Sequence, residues 1–567
     1  MSIQKDNLYK LLSEERKQMQ ADGTMPPFYQ TASWQMFKSK YLYNTDTVKG
    51  QFERIARTAA KHLPKEYIEE GYQKFFLMLW NGWLSPSTPV LANMGTTRGM
   101  PVSCSGGYVG DSVYGFKIHD LEMAMLTKDG FGTSGYLGDI RPRGSPISIG
   151  GTASGVVPVF KDLVQTMRDV AQGTARRGAW AGYLPIDHGD WDELCDYVQA
   201  NPDDANVGWV IKDEFIERLK SQDPDAIRRF KKALKLKMVT GKGYFHLHGN
   251  SNRQSPRMYT DREFIVKCSN LCQEIHLFSD EFHTFTCVLS SLNIARYDEW
   301  KNTDTIFWAT VFLDCVASEF IQRAKGKKGF DNTISFTEKG RALGLGVCGF
   351  HSYLQSKMIP FESLEAQFFN TALFKEISDK SLIASEWLAT ELGEPEWCKG
   401  YGVRNTHRMA VAPTKSTAVL MGNVSEGINP DPAMTFTQMT SAGEVERING
   451  ELVMLMKRKE VYTKKNIQEV IDADGSVQSV DWLTDDEKAV FKTAFEINQE
   501  VIIRLASQRQ RYIDQGQSLN LFFSADEDER WISHIHKMAF EDSWLKGLYY
   551  IYSKAGVKAS KDCESCS

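Results

Sequence analysis

At 567 residues, with 42% hydrophobic and 25% charged side chains, the chain has the composition of a soluble globular protein with a large core. Its net charge of −5, with Lys and Arg scattered along the length, excludes the basic footprint of a duplex-binding protein, so polymeric nucleic acid is not an expected partner. The N-terminus MSIQKDNLYKLLSEERKQMQ has no apolar signal core and no run approaches the roughly 18 apolar residues of a membrane span, which points to the cytoplasm and away from the membrane.

Residues 1–83 read as a helical lobe, because TDTVKGQFERIARTAAKHL and KEYIEEGYQKFFLMLWNGW carry apolar residues at three- and four-residue spacing. From LSPSTPVLANMG onward the texture changes to short apolar runs, Gly-rich turns and intervening helices, the pattern of an α/β body over 84–553. GWVIK, KGYFHLHG, CVLSSLNIA and RMAVAP read as strands, and VCGF at 347–350 as a helix start. A helix is predicted over 362–392. A long one is predicted after Thr484, where TDDE has capping-box form and Val490, Ala494, Ile497 and Val501 make a stripe. The polar stretch KRKEVYTKKNIQEVIDADGSVQSVDWLTDDEK reads as a surface excursion. Residues 554–567, KAGVKASKDCESCS, lack any apolar pattern and form an expected mobile tail.

Ten cysteines spread over the whole length are too sparse for a secreted disulfide scaffold. In SNLCQEIHL, an extended backbone puts Asn270, Cys272 and Glu274 on one face, flanking a thiol with an amide and a carboxylate. An edge strand with an inert cysteine fits the same string. Cys104, in MPVSCSGGYVGDSVYGF, and Cys287, in TFTCVLSSLNIA, can cycle between dithiol and disulfide if the fold brings them together, or can simply pack in the core. Thr414, Lys415, Ser416 and Thr417 in VAPTKSTAVLMGNVSEGINP offer donors to a phosphate, or cap a helix. No P-loop spacing is present there, so ATPase chemistry is not suggested. DIRPRGSPISIGGTASG and AQGTARRGAWAGY are glycine- and arginine-rich loops suited to phosphate recognition, or to plain solvation. Cys563 and Cys566 suit a redox pair better than a zinc site, since no second Cys or His pair lies near them. Tyr549 and Tyr550 close the segment AFEDSWLKGLYYIYS, where aromatic packing is the default reading.

Taken in order from Leu84 to Ser567, the strings SPSTPVLANMG, VSCSGGYVGDS, RPRGSPI, QGTARRGA, NLCQEI, CVLSSLNIA, LGLGVCGFHSYL, MGNVSEGINP, QSLNLFF, LYYIYSK and CESC resemble the catalytic α subunit of class I ribonucleotide reductase. The resemblance implies a ten-stranded α/β barrel behind the helical lobe, with a finger loop carrying Cys272 inside it. It implies reduction of ribonucleoside diphosphates to 2′-deoxyribonucleotides by thiyl-radical chemistry with dithiol oxidation. By resemblance, Cys272 is the thiyl that abstracts the 3′ hydrogen, Glu274 the base on the 3′-OH, and Asn270 the residue that orients this edge. Cys104 and Cys287 protonate the departing 2′-OH and supply two electrons, ending as a disulfide. Cys563 and Cys566 shuttle electrons to it from thioredoxin or glutaredoxin.

Tyr549 and Tyr550 match the stacked pair that relays a radical from a metal-containing β subunit; no metal is implied in this chain. Thr88, Ser103, Lys415, Ser416 and Thr417 match positions that hold the substrate, chiefly its phosphates. Asp111, Ser112, Val113 and Arg141 match the site of a deoxynucleotide effector, and Gln172 and Arg176 the loop that carries its choice to the substrate base. That effector site lies at an α–α interface in the family, which implies a homodimer. Only 103 residues precede Cys104, without a motif of the ATP-cone, so overall on–off control by ATP and dATP is not expected. The compactness suggests a streamlined, viral form, which would act in the host cytoplasm. Two alternatives stand beside this reading: a class II reductase using adenosylcobalamin, against which the tyrosine pair argues, and a non-catalytic nucleotide-binding relative.

Overall fold

Apolar spacing sets the first helices. In Val48–Ala60, the buried Val48, Phe52, Ile55, Ala56 and Ala59 share one face, and Thr47 opens the helix by accepting the Gly50 N–H at 3.0 Å. Helix Ile68–Trp80 buries Phe75, Met78 and Leu79 in the same core. The computed structural model describes residues 2–44, 46–102, 104–170, 179–204, 206–440 and 443–553, with side chains left out at 2–8 and 436–447. Ser103, Gln172, Arg176, Cys563 and Cys566 therefore lie outside the described residues, as does the expected tail at 554–567.

Beyond Leu84 the strands form the body of an α/β barrel. Five neighbouring strands, Ser105–Tyr108, Gly132–Tyr136, Ala179–Pro185, Asn206–Ile211 and Tyr244–Leu247, run parallel. Gly547–Leu548 and Phe285–Thr286 close this sheet antiparallel at its two ends, making seven strands among the described residues. A second sheet holds Leu84–Pro86, Val288–Asn293 and Leu343–Cys348. Cys287 is the residue between the two sheets, so a single chain segment passes from one to the other. Two further pairs, Thr435–Thr440 with Gly443–Ile448 and Leu521–Phe523 with Ile551–Ser553, stand outside these, so the ten strands of the barrel body are divided between a seven-stranded and a three-stranded sheet among the described residues. Parallel strands buried on both faces read as continuous apolar runs, which is why GWVIK and CVLSSLNIA were legible as strands.

Three local expectations change. RMAVAP is not a strand: its backbone serves both sides, with Leu345 N–H donating to the Arg408 carbonyl and Val411 N–H to that of Gly516, and only an isolated bridge joins Val411 to Gln517. The helix after Thr484 has its capping box but stops at Val490. Ala494 sends its N–H to the Asp431 carbonyl at 2.8 Å, and Asn498 caps a new helix, Gln499–Gln510. The supposed surface excursion helps to build a satellite core, with Val470, Val477, Val480 and Leu483 buried against Leu452, Leu455 and Met456. Helix Leu364–Leu392 matches its expected span, and VCGF ends a strand at Cys348 before helix Phe350–Ser356 begins.

Helix Thr305–Ala324 is long and apolar enough, by length and composition, to cross a membrane, contrary to the reading of the sequence, yet 83% of its apolar window is buried inside the protein. It is apolar round most of its circumference because other elements cover most of it. Its one buried aspartate, Asp314, receives Arg341 Nε at 2.8 Å, Arg404 Nε at 3.1 Å and Asn405 Nδ2 at 2.9 Å. Burial by itself raises this carboxyl, but Arg341 and Arg404 outweigh it and hold Asp314 well below the usual carboxylate range. A carboxylate depressed in the folded state stabilises above its unfolded value, about 3.9, and loses that contribution as pH falls through the folded value. Asp314→Asn is expected to cost roughly 3–5 kcal/mol by leaving the buried Arg341 and the partly buried Arg404 uncompensated. A denaturant titration at neutral pH showing less than about 1 kcal/mol would contradict this account.

Candidate active site

Residues 264–279 run as a loop without regular structure, and from Cys268 to Leu277 every side chain is buried. The strands around it fix its backbone. Ser134 Oγ donates to the Ser269 carbonyl at 2.8 Å, and Tyr183 Oη lies 2.6 Å from the Asn270 carbonyl and 2.7 Å from Gln273 Oε1. Burial keeps the Tyr183 phenol far above its ordinary pKa, so it remains a neutral donor.

The tip of the loop is a turn, not the extended segment read from SNLCQEIHL. Asn270 Oδ1 accepts the N–H groups of both Glu274 and Ile275 at 3.1 Å, and Asn270 Nδ2 donates to Glu274 Oε1 at 3.0 Å. Gln273 takes φ = 65°, a conformation uncommon outside glycine. Asn270 and Glu274 still end up side by side, but through an asparagine that closes a turn rather than through strand alternation. Ser518 joins the tip to the rest of the barrel: its Oγ lies 2.7 Å from the Cys272 carbonyl and 3.2 Å from Glu274 Oε2.

Cys104 and Cys287 come together across strands. The antiparallel register pairs Ser105 with Thr286, so one further step sets Cys104 opposite Cys287. The Cys104 carbonyl accepts from Thr286 Oγ1 at 2.9 Å and from Cys287 N–H at 3.4 Å. Directly opposed residues have Cα atoms about 4.5–5.5 Å apart, inside the range a disulfide spans. Burial pushes the Cys287 thiol well above its ordinary value; Gln515 Nε2, donating to Sγ at 3.3 Å, pulls the other way, and Cys104 and Glu274 add to the rise. The thiol is thus held protonated, and Glu274 is near enough to act on it electrostatically.

Both cysteines line a cavity of about 490 Å³ of empty space, part of it open to solvent. Its walls carry the hydroxyls of Ser85, Ser87, Thr88, Ser290, Ser291, Thr414 and Thr417. Thr88 Oγ1 lies 3.1 Å from Tyr41 Oη. Lys415 begins helix Lys415–Leu420 half-exposed, while Ser416 is buried and accepts from Lys40 Nζ at 3.4 Å. The helical lobe therefore supplies a lysine to this end of the site that no sequence motif indicated. Ser85 and Ser290 are likewise new: both are buried cavity residues whose hydroxyls have no hydrogen-bond partner among the described residues.

The two tyrosines reach the loop from behind. Tyr549 Oη donates to Cys272 Sγ at 3.4 Å, and Tyr549, Cys272 and Tyr244 form one buried cluster. The Tyr549 and Tyr550 rings are 4.2 Å apart with planes crossing at 51°, so the pair is tilted rather than stacked. Tyr549 is buried and Tyr550 half-buried, which makes the second the outer of the two. Gly547, two residues earlier, is required by close approach: a Cβ there would come within 2.3 Å of Gln273 Nε2 and push on the loop tip.

Asp111, Ser112, Val113 and Arg141 gather at the surface. Arg141 Nε donates to Asp111 Oδ2 at 2.7 Å, and Ser112 caps helix Val113–Lys128 by accepting the Gly115 N–H at 2.9 Å. Val113 is exposed.

A barrel that encloses one thiol on a loop with a carboxylate, with two opposed thiols on the wall of a neighbouring cavity, has the sulfur groups an oxidoreductase can use. Comparison with known proteins narrows the class. The ribonucleotide reductase barrel domain matches residues 102–227, 225–398 and 395–551, and the ribonucleotide reductase all-alpha domain matches 27–99. A putative ribonucleoside-diphosphate reductase large subunit of Frog virus 3 (isolate Goorha) is 32% identical over 509 residues, covering 85% of this chain and 88% of the relative. The ribonucleoside-diphosphate reductase large subunit of Invertebrate iridescent virus 3 is 29% identical, covering 87% and 92%. Among solved structures, the Actinobacillus ureae class Id ribonucleotide reductase alpha subunit superposes with a TM-score of 0.87 at 37% identity, over 95% of this chain and 99% of that one.

The chain belongs to the large, or α, subunits of class I ribonucleotide reductase, and it is a ribonucleoside-diphosphate reductase. Membership of class I implies nucleotide substrates and a radical that comes from a separate β subunit, and the class II alternative is not favoured.

Proposed function

We propose that Cys272 carries the substrate-activating thiyl radical and that Cys104 and Cys287 are the reducing dithiol. The observation that supports this most is the register that opposes Cys104 to Cys287 on the wall of one cavity, with Glu274 close enough to raise the Cys287 thiol. Cleavage of a ribose C2′–OH bond requires a proton on the leaving oxygen and two electrons. A thiol held protonated by burial donates the proton, and the pair supplies the electrons as its two S–H bonds give way to one S–S bond. Glu274 removes the 3′-OH proton, and Asn270 orients Glu274 through its amide.

Thr88, Ser103, Lys415, Ser416 and Thr417 hold the substrate phosphates, with Ser85 and Ser290 as further donors along the cavity. Tyr550 and then Tyr549 deliver the radical to Cys272. Asp111, Ser112, Val113 and Arg141 bind a deoxynucleotide effector, and Gln172 and Arg176 carry its influence to the substrate base as a difference in binding energy between states. The exposed Val113, Tyr114, Ile118 and Leu121 on the helix beside this site favour pairing with a second copy, hence a homodimer. The enzyme works in the cytoplasm, that of the host if the source is viral.

The deciding assay is reduction of CDP by the purified chain with its β subunit, a small dithiol and a panel of effectors. Absence of dCDP under every effector would overturn the reading. Cys563 and Cys566 take electrons from thioredoxin or glutaredoxin and pass them inward. Trimming residues 563–567 is therefore expected to spare turnover driven by a small dithiol and to lower thioredoxin-driven turnover about tenfold or more. Equal effects on both activities would remove the shuttle.

A further inference from the structure

The relay leaves one phenol beside it unassigned. Tyr244 is fully buried at the head of strand Tyr244–Leu247. This strand pairs antiparallel with Gly547–Leu548, Leu548 against Phe245, so one further step sets Tyr244 opposite Tyr549. Opposed residues on antiparallel strands share a face, and the two rings are 4.9 Å apart. Tyr244 also meets Tyr550, edge-on at 5.3 Å with planes at 90°, and its Oη donates to Tyr550 Oη at 3.0 Å. Lys237, in the last turn of helix Pro224–Thr240, braces the arrangement. Its Nζ donates to the Gly243 carbonyl at 3.1 Å and to the Tyr549 carbonyl, one in each of the two paired segments, and sits 5.6 Å from the centre of the Tyr244 ring.

We propose that Tyr244 is a positioning residue for radical transfer, holding the Tyr550 oxygen by a hydrogen bond that persists when Tyr550 is oxidised. The proposal rests on the reading of Tyr549 and Tyr550 as a relay. When Tyr550 is oxidised, its O–H bond breaks and the electron and proton reduce the radical of the β subunit. The phenoxyl oxygen keeps its lone pairs, so Tyr244 continues to donate to it. Tyr549 then gives up its hydroxyl hydrogen to Tyr550, and the Cys272 thiol gives its hydrogen to Tyr549; each transfer breaks one O–H or S–H bond and forms one O–H bond. Between these steps the outer oxygen must not swing out of reach of its inner neighbour. Tyr550 is half-exposed, and the bond from Tyr244 ties its oxygen to the buried side.

Tyr244→Phe keeps the ring and removes the hydroxyl that donates to Tyr550. With 3-aminotyrosine at position 550, which is more easily oxidised than tyrosine, mixing with the β subunit, CDP and effector stops the radical at that residue. Electron–nuclear double resonance in H2O and D2O then reads the exchangeable proton that Tyr244 contributes. The coupling is expected in the parent and absent from the Tyr244→Phe variant, whose ring has no donor. In the chain with natural Tyr550 the same substitution lowers kcat about 10- to 100-fold with KM for CDP unchanged. A coupling that survives the substitution, or a kcat that does not fall, would overturn the assignment of Tyr244 alone. No radical at 550 in either protein would overturn the relay, and Tyr244's role with it.

Discussion

Cys272→Ser is expected to reduce dCDP formation by about four orders of magnitude or more, while effector binding and the melting temperature stay near those of the parent. The sulfur is wholly buried, and a hydroxyl fits its space. The bond that anchors this residue runs from Ser518 to the Cys272 carbonyl, which the substitution leaves in place. Asn270 closes the turn through the backbone N–H groups of Glu274 and Ile275, so the loop has no structural reason to move. What changes is the chemistry: an alcohol O–H is harder to convert to a radical than a thiol S–H, and Tyr549 has no suitable hydrogen donor at the loop tip. The measurement is dCDP formed with saturating β subunit, dithiol and effector. Activity above about one per cent of the parent would rule out a thiyl at this position.

Tyr549→Phe is expected to lower β-dependent turnover by at least about a thousandfold. The ring still packs between Tyr244 and Tyr550, so the substitution removes an oxygen and little volume. The hydroxyl donates to Cys272 Sγ, and the substitution removes this oxygen from beside the thiol. Tyr550→Phe should fail to the same extent, and the double variant should be no worse than either single one, because consecutive steps of one path are lost only once. Ordinary turnover in either single variant would mean that the radical reaches Cys272 by another route. A loss that came with a raised KM for CDP would place the residue in substrate binding instead.

The loop at 270–274 shows where local reading reached its limit. The sequence displayed the right residues, an amide, a thiol and a carboxylate at alternate positions, but alternation implies a strand only when a partner strand supplies hydrogen bonds. Here Ser134, Tyr183 and Ser518 supply them from side chains, and Asn270 closes the turn on itself. The Tyr549 and Tyr550 rings likewise both meet Tyr244, a residue far away in the chain that carried no motif of its own.

By itself the sequence determined what short-range physics governs: the amphipathic helices of the lobe, the capping box at Thr484, the apolar runs of the buried strands, and the identities of the thiols and phenols from which the resemblance to the reductases was built. Only the tertiary structure decided which of these meet. The opposition of Cys104 to Cys287, and of Tyr244 to Tyr549, is a matter of register between distant segments, and a slip of one residue would turn every side chain to the other face. Register of that kind is set by the packing of the whole barrel, which leaves no mark in a window of ten or fifteen residues.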